Sequence, residues 1–150
     1  MRETMVRLAL VLGTCLGASG CGTGERYVVS QSSNQMMVID MIDRKGPEPT
    51  ARITIISSKP ELDEFNDRLI RRLSFETRFN CADGAMRYGA SVARLESGSK
   101  VTAPESGAVW EHPAPATGKA NAIRVVCEPS SANVALERRS LDRLERDYRE

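Results

Sequence analysis

The chain has 150 residues, 41% hydrophobic, 27% charged and 5% aromatic, enough for one domain and cramped for two. Lys and Arg number 21 against 20 Asp and Glu, so a net charge of +1 gives no electrostatic basis for a nucleic-acid partner. Glycine at 11 and proline at 7 exclude collagen-like and low-complexity classes.

Arg2 and Arg7 precede an apolar run from Leu8 to Ala18, 11 residues long. That is about half of the roughly 20 residues a membrane span requires, and it matches the core of a secretory signal peptide. Residues 1–20 are therefore read as a signal segment ending before Cys21. Ala18-Ser19-Gly20-Cys21 resembles the bacterial lipobox, whose cysteine is lipidated, palmitate being among the expected acyl groups. Cleavage at the same bond by ordinary signal peptidase, leaving Cys21 unmodified, is the alternative. Losing Arg2, Glu3 and Arg7 leaves 19 basic and 19 acidic side chains, so the mature domain is neutral. Acyl chains would then hold it to a membrane at about 0.8 kcal/mol per buried methylene. Gly22 after the cysteine points to the outer membrane in a Gram-negative host, by resemblance to lipoprotein sorting rules.

Residues 21–25 read as a tether. Tyr27-Val28-Val29 and Met36 to Ile42 read as strands joined by a Ser- and Asn-rich turn. Arg44 to Pro49 is a loop, and Arg52 to Ile56 is a third strand. The period then changes. Ser58 to Glu61 matches a capping box with proline in the first turn, and Leu62, Phe65, Leu69, Ile70 and Leu73 fall on one helical face. Acids early and arginines late suit the helix dipole, with Glu64–Arg68 and Asp67–Arg71 as favourable pairs. Residues 58–73 are accordingly expected to form the main helix.

Period two resumes from Leu73 to Cys81, which places Cys81 toward the core. Ala82-Asp83-Gly84 turns the chain, and Met86 to Leu95 returns as a hairpin partner. Glu96 to Ser99 turns again into a loop carrying Trp110, His112, Pro113 and Pro115. Ile123 to Cys127 reads as the last strand, with Cys127 inward.

Residues 26–129 thus form the domain and 130–150 a tail. Of the last fourteen residues ten are charged, five of each sign, and Leu141, Leu144 and Tyr148 make a narrow stripe. That pattern fits a solvated terminal helix, a partner-binding helix or disorder. The expected fold class is α+β: an antiparallel sheet of about six strands packed on one main helix, with one disulfide and a charged C-terminal helix.

With Cys21 set aside, Cys81 and Cys127 form an even pair in an oxidising compartment and read as one disulfide, two unpaired thiols being the alternative. Closing a loop of that size is worth about 4 kcal/mol. One histidine and no C-x-x-C give no zinc ligand set, so neither metal nor cofactor is expected. His112 lacks an evident catalytic partner and is read as a surface or packing residue, or as part of a partner contact. Asp40 and Asp43 have no defined separation as a carboxylate pair. The methionines Met36, Met37, Met41 and Met86 read as strand core before an adaptable binding surface. Trp110 is either an anchor for a partner or a lid on the core.

Taken in order, Val38-Ile39-Asp40, Phe79-Asn80-Cys81 with Arg87 following, Trp110-Glu111-His112-Pro113 and Val125-Val126-Cys127 resemble the surface-adhesin protein E family, across residues 26–128. The resemblance implies a small bacterial lipoprotein with an antiparallel sheet packed on a helix. The charged tail departs from it, as does the lack of a basic cluster matching the family's ligand segments. The expectation is a lipid-anchored, non-catalytic, adhesin-like binding module of the cell envelope, attached to the membrane through Cys21 and meeting a protein or surface ligand. The alternative is a periplasm-facing accessory lipoprotein that docks through its C-terminal helix. The ligand, the membrane face and the oligomeric state are left open by the sequence.

Overall fold

The computed structural model describes residues 23–63, 67–105 and 107–150. The signal segment 1–20 and the lipidation candidate Cys21 lie outside the described residues, as do Glu64 and Phe65 of the expected helix.

Six strands form one antiparallel sheet in the order β1-β2-β3-β4-β5-β6. They are β1 (Thr23–Gln31), β2 (Gln35–Asp43), β3 (Thr50–Asp63), β4 (Arg68–Asn80), β5 (Ala85–Leu95) and β6 (Lys100–Ala103), followed by helices α1 (Gly118–Cys127) and α2 (Leu141–Arg149). Strand β1 begins at Thr23, so the ladder reaches into the stretch read as a tether. Side chains alternate between the faces, so neighbours such as Val38 and Ile39 serve opposite cores. On one face Ile39, Ile42, Ile53, Phe79 and Met86 pack against Val125 and Val126 of α1. On the other, Met36, Val38 and Ile56 pack against Leu141 and Leu144 of α2.

Several expectations are overturned. Residues 58–63 and 68–73 form no helix; they complete β3 and open β4, paired as Glu61↔Ile70, Leu62↔Leu69 and Asp63↔Arg68. The helical signals are local and worth a few tenths of a kcal/mol per pair, whereas residues 70–80 also pair with β5. Pro60 falls in the register shift between Ile56 and Glu61, where a strand tolerates a residue without an N–H. The Ser57 hydroxyl donates to Glu61 Oε1 at 2.9 Å, so no capping box forms.

Residues 123–127 form no strand; they are the second half of α1. The β-branched run suggested a ladder, yet the buried residues are Ala122, Val125 and Val126, a helical i, i+3, i+4 set. The Thr117 hydroxyl accepts from the Ala120 N–H at 3.2 Å and starts the helix. At its other end Arg44 donates to the carbonyls of Val125 (3.0 Å) and Val126 (3.1 Å), satisfying acceptors that a helix terminus leaves open. Glu25 holds that guanidinium at 2.9 Å. Six strands are still present because β6, unassigned in the sequence, takes the place of the misread one.

Cys81 and Cys127 are joined in a disulfide, their Cα atoms 5.4 Å apart. Cys81 does not face the core; it is exposed in the turn after β4, and Cys127 is the last residue of α1. The bond therefore ties a hairpin turn to a helix end. Helix α1 approaches the sheet so closely that a Cβ on Gly118 would lie 2.6 Å from Ser30 Cβ.

Gly118→Ala is expected to lower stability by about 1–3 kcal/mol, because Ser30 Cβ cannot swing away; thermal unfolding against the native chain measures it. Cys81→Ser is expected to cost about 2–5 kcal/mol and to leave one titratable thiol, at Cys127, in the folded protein. Thiol labelling of the unreduced native chain at both positions would contradict this.

Candidate binding face

The face carrying α2 is divided. Alternation places Met36, Val38 and Asp40 of β2 on it, together with Ile56, Thr54 and Arg52 of β3 and Arg72 and Ser74 of β4. A bond of 2.8 Å between Thr54 Oγ1 and Ser74 Oγ marks the row between two zones. On one side α2 covers the sheet. On the other lies an open groove of about 560 Å³, lined by Arg52, Glu76, Arg78, Arg87, Val92 and Glu105 among others.

The floor of the boundary is a buried ion cluster. Asp40, 3% exposed, accepts from Arg52 Nε (2.8 Å) and Nη2 (2.7 Å) and from Arg26 Nε (3.2 Å) and Nη2 (3.1 Å). A buried carboxylate is tolerable only when so fully paired. The hydrogen bonds to Asp40 raise the Arg52 pKa above its ordinary value, outweighing burial, which lowers it. Asp43, the other member of the considered carboxylate pair, instead accepts from the Lys45 N–H at 3.0 Å. The two carboxylates serve different partners.

In the open groove Arg78 and Arg87 face each other across β4 and β5. Like charges directly opposite are unfavourable, and their acidic neighbours are loosely held: Glu48 at 3.8 Å from Arg78 and Glu105 at 3.9 Å from Arg87. Arg87 also lies over the Trp110 ring, 5.1 Å from its centroid, a cation–π contact. Trp110 owes this position to Glu111, whose backbone exchanges hydrogen bonds of 2.8 and 3.0 Å with Met86. That bridge turns Trp110 and His112 away from the Glu111 side chain, which pairs with Lys119 at 2.6 Å. Trp110 is thus half-buried beside the groove. His112 Nε2 lies 2.8 Å from Asp83 Oδ2 in an exposed pair.

The methionines divide among these environments. Met36 and Met86 are buried in opposite cores, Met37 is half-buried against the α1 core, and Met41 is exposed at the groove with a positive φ of 51°. On the α1 face a second groove of about 420 Å³ lies between β5 and residues 103–104 and 107–111. Tyr88 lines it and stacks on Phe75 at 4.6 Å, and burial pushes the Tyr88 hydroxyl above its ordinary pKa. Among the described residues no group of three or more His, Cys, Asp and Glu is placed to hold a metal ion.

In the covered zone Glu145 of α2 is 5% exposed and sits among arginines: Arg71 at 2.6 Å, Arg72 at 3.2 Å and Arg149 at 3.6 Å. Asp142 pairs with Arg72 (2.8 Å) and Arg94 (3.3 Å). The Tyr148 hydroxyl donates to the Ser32 carbonyl at 2.7 Å, and Arg26 donates to the Arg139 carbonyl at 2.6 Å. The stripe of Leu141, Leu144 and Tyr148 is spent on the chain's own sheet, which leaves the outer surface of α2 to Arg143 and Arg146.

Sequence reasoning singled out Trp110 and His112 but passed over Arg52, Arg78 and Glu145. A signal for the ion cluster was present: Asp40 interrupts an otherwise apolar strand, and an acid there needs cationic partners on neighbouring strands.

Hydrogen bonds from Arg139 hold the Glu137 carboxylate at a pKa of about 2, and those from Arg72 lower that of Asp142. A carboxylate lowered in the folded state contributes stability above its ordinary pKa and loses it as pH falls through the folded value. Docking of α2 is therefore expected to weaken as pH falls below the ordinary 3.8 of Asp142, the carboxylate by which Arg72 holds the helix. Amide resonances of residues 141–149 should shift in that window before those of β2 and β3.

No family model and no curated protein matches the chain. Two solved structures are similar to it. Crystal form II of Haemophilus influenzae protein E has a TM-score of 0.49 and 16% identity, over 71% of this chain and 89% of that chain. A second structure of Haemophilus influenzae protein E has a TM-score of 0.47 and 18% identity, over 71% of this chain and 86% of that chain. Both carry the name of the family that the sequence resembles.

Proposed function

We propose that the chain is a lipid-anchored, non-catalytic binding module of the bacterial cell envelope, adhesin-like, that meets its ligand with the open part of the α2 face. The observation that carries this reading is the groove itself: a sheet surface left uncovered, with Arg78 and Arg87 juxtaposed and Trp110 fixed at its edge. Aromatic and arginine side chains are the residues that most often dominate binding energy. The polar groups around it suit holding better than chemistry. Asp40 is committed to two arginines, so it does not stand poised as a base. The Cys81–Cys127 disulfide supports an oxidising location, as do the signal segment and Cys21.

Protease shaving of intact host cells followed by immunoblotting tests the location. Loss of the domain places it outside; survival until the outer membrane is opened favours the periplasm-facing alternative and ends the adhesin reading. Mass spectrometry of the mature N-terminus tests acylation of Cys21. With the domain outside, Arg87→Ala and Trp110→Ala are each expected to weaken attachment to host or neighbouring-cell surfaces about tenfold or more, with the melting temperature little changed. Undiminished attachment by both variants would reject the groove as the site.

A further inference from the structure

We infer that the floor of the open groove, around Gly89, is a subsite for a small zwitterion: an ammonium group joined by a short linker to a phosphate, as in phosphoethanolamine. This rests on reading the open groove as the binding site, and it names the class of ligand.

The charges that line the groove divide into committed and uncommitted groups. Arg52 is committed to Asp40, and Asp43 to the Lys45 N–H. Glu76, Arg78, Arg87 and Glu105 remain. The acids beside the two arginines, Glu48 at 3.8 Å and Glu105 at 3.9 Å, lie beyond hydrogen-bond distance. Glu76 is exposed and, among the described residues, has no ion-pair partner. Two uncommitted charges of each sign select neither an anion nor a cation alone. A ligand carrying both satisfies all four.

Their placement separates the signs. Arg78 and Arg87 are direct cross-strand partners, and the Trp110 ring beneath the Arg87 guanidinium fixes one side of the pair. Glu76 precedes Arg78 by two residues, so it stands on the same face, about 7 Å along the strand. Opposite Glu76 the register of β4 and β5 shifts, and Gly89 falls in that bulge. A Cβ on Gly89 would lie 3.3 Å from the Glu76 carbonyl oxygen and 3.6 Å from Glu105 Oε2. Any side chain at residue 89 would therefore occupy the space beside the two acids, which glycine leaves open. The ammonium belongs there, and the phosphate belongs between the two arginines. A phosphate monoester carries about −1.5 to −2 charges and three acceptor oxygens, a match for two guanidinium forks that a single carboxylate does not give. Its arrival also relieves the repulsion of like charges directly opposite each other.

The test titrates the full chain with O-phosphoethanolamine and follows the backbone amides by NMR. Those of Glu76, Arg78, Arg87 and Gly89 should shift together and saturate. Inorganic phosphate alone, ethanolamine alone and β-alanine, a carboxylate zwitterion, should each bind at least tenfold more weakly. Glu76→Gln should weaken phosphoethanolamine about fivefold or more while leaving phosphate unchanged, and Arg78→Gln should weaken both. Both side chains are exposed, so the variants report binding and not folding. The inference is overturned by phosphate or β-alanine binding as tightly as phosphoethanolamine, by a Glu76→Gln chain that binds undiminished, or by the lack of a saturating shift. Vesicles of phosphatidylethanolamine separate the two sources of this chemistry. Cosedimentation that the free compound competes away supports a lipid headgroup, and binding of the free compound alone supports a soluble one. If phosphoethanolamine fails while Arg87→Ala still weakens attachment to cells, this inference falls alone.

Discussion

A sheet has two faces, and both must be shielded or used. Among the described residues, ten of α1 and nine of α2 are the helical material available for six strands. That shortage organises the rest of the molecule. On one face α1 is made to count: Gly118 lets it sit close, Arg44 closes its C-terminus and the disulfide fixes its last residue. On the other face the buried apolar side chains are confined to the short line that α2 covers, and the remainder is largely arginines, acids and small residues, with Met41 and Val92 exposed among them. A half-open face is what a small core with limited cover produces, and it is where a ligand can be met.

The charge balance acquires a meaning at this scale. Nearly equal numbers of acids and bases give no basis for long-range steering, yet their positions are not neutral locally. Arginines concentrate on the α2 face, where Arg26 and Arg52 enclose Asp40 and Arg71, Arg72 and Arg149 enclose Glu145. Two buried carboxylates thus organise five arginines. Removing either acid would strand cations rather than merely delete a contact, which is why such groups specify one arrangement of the tail and not several.

Much of the sheet was legible. Strands β1, β2 and β5 carry local patterns that agree with their tertiary pairing, so periodicity found them. The disulfide followed from counting cysteines. The failures lie where local and global preferences part. Residues 58–73 place acids, arginines and leucines where an isolated helix would want them, but Arg71 and Arg72 are spaced for α2 and Leu69 for its cross-strand partner Leu62. Ile123 to Cys127 has strand-like composition, and its helix is set by Thr117, six residues upstream of Ile123, and by Arg44 from a distant loop. Trp110 stands out in the sequence as a candidate contact residue or lid, whereas its partner Arg87 is brought to it by a single backbone bridge at Glu111. No local pattern records such a bridge.

The way β1 is fastened bears on tension. It is an edge strand that enters the sheet at Thr23, so a pull applied from upstream reaches the ladder there first. An edge strand pulled from its end can peel away one hydrogen bond at a time. Here it is also stitched from outside the ladder: Glu25 to Arg44, Arg26 to the Arg139 carbonyl, and Asn121 to the Val29 carbonyl. These ties spread the force onto a loop, the tail and α1 together, and turn a zipper into a seam.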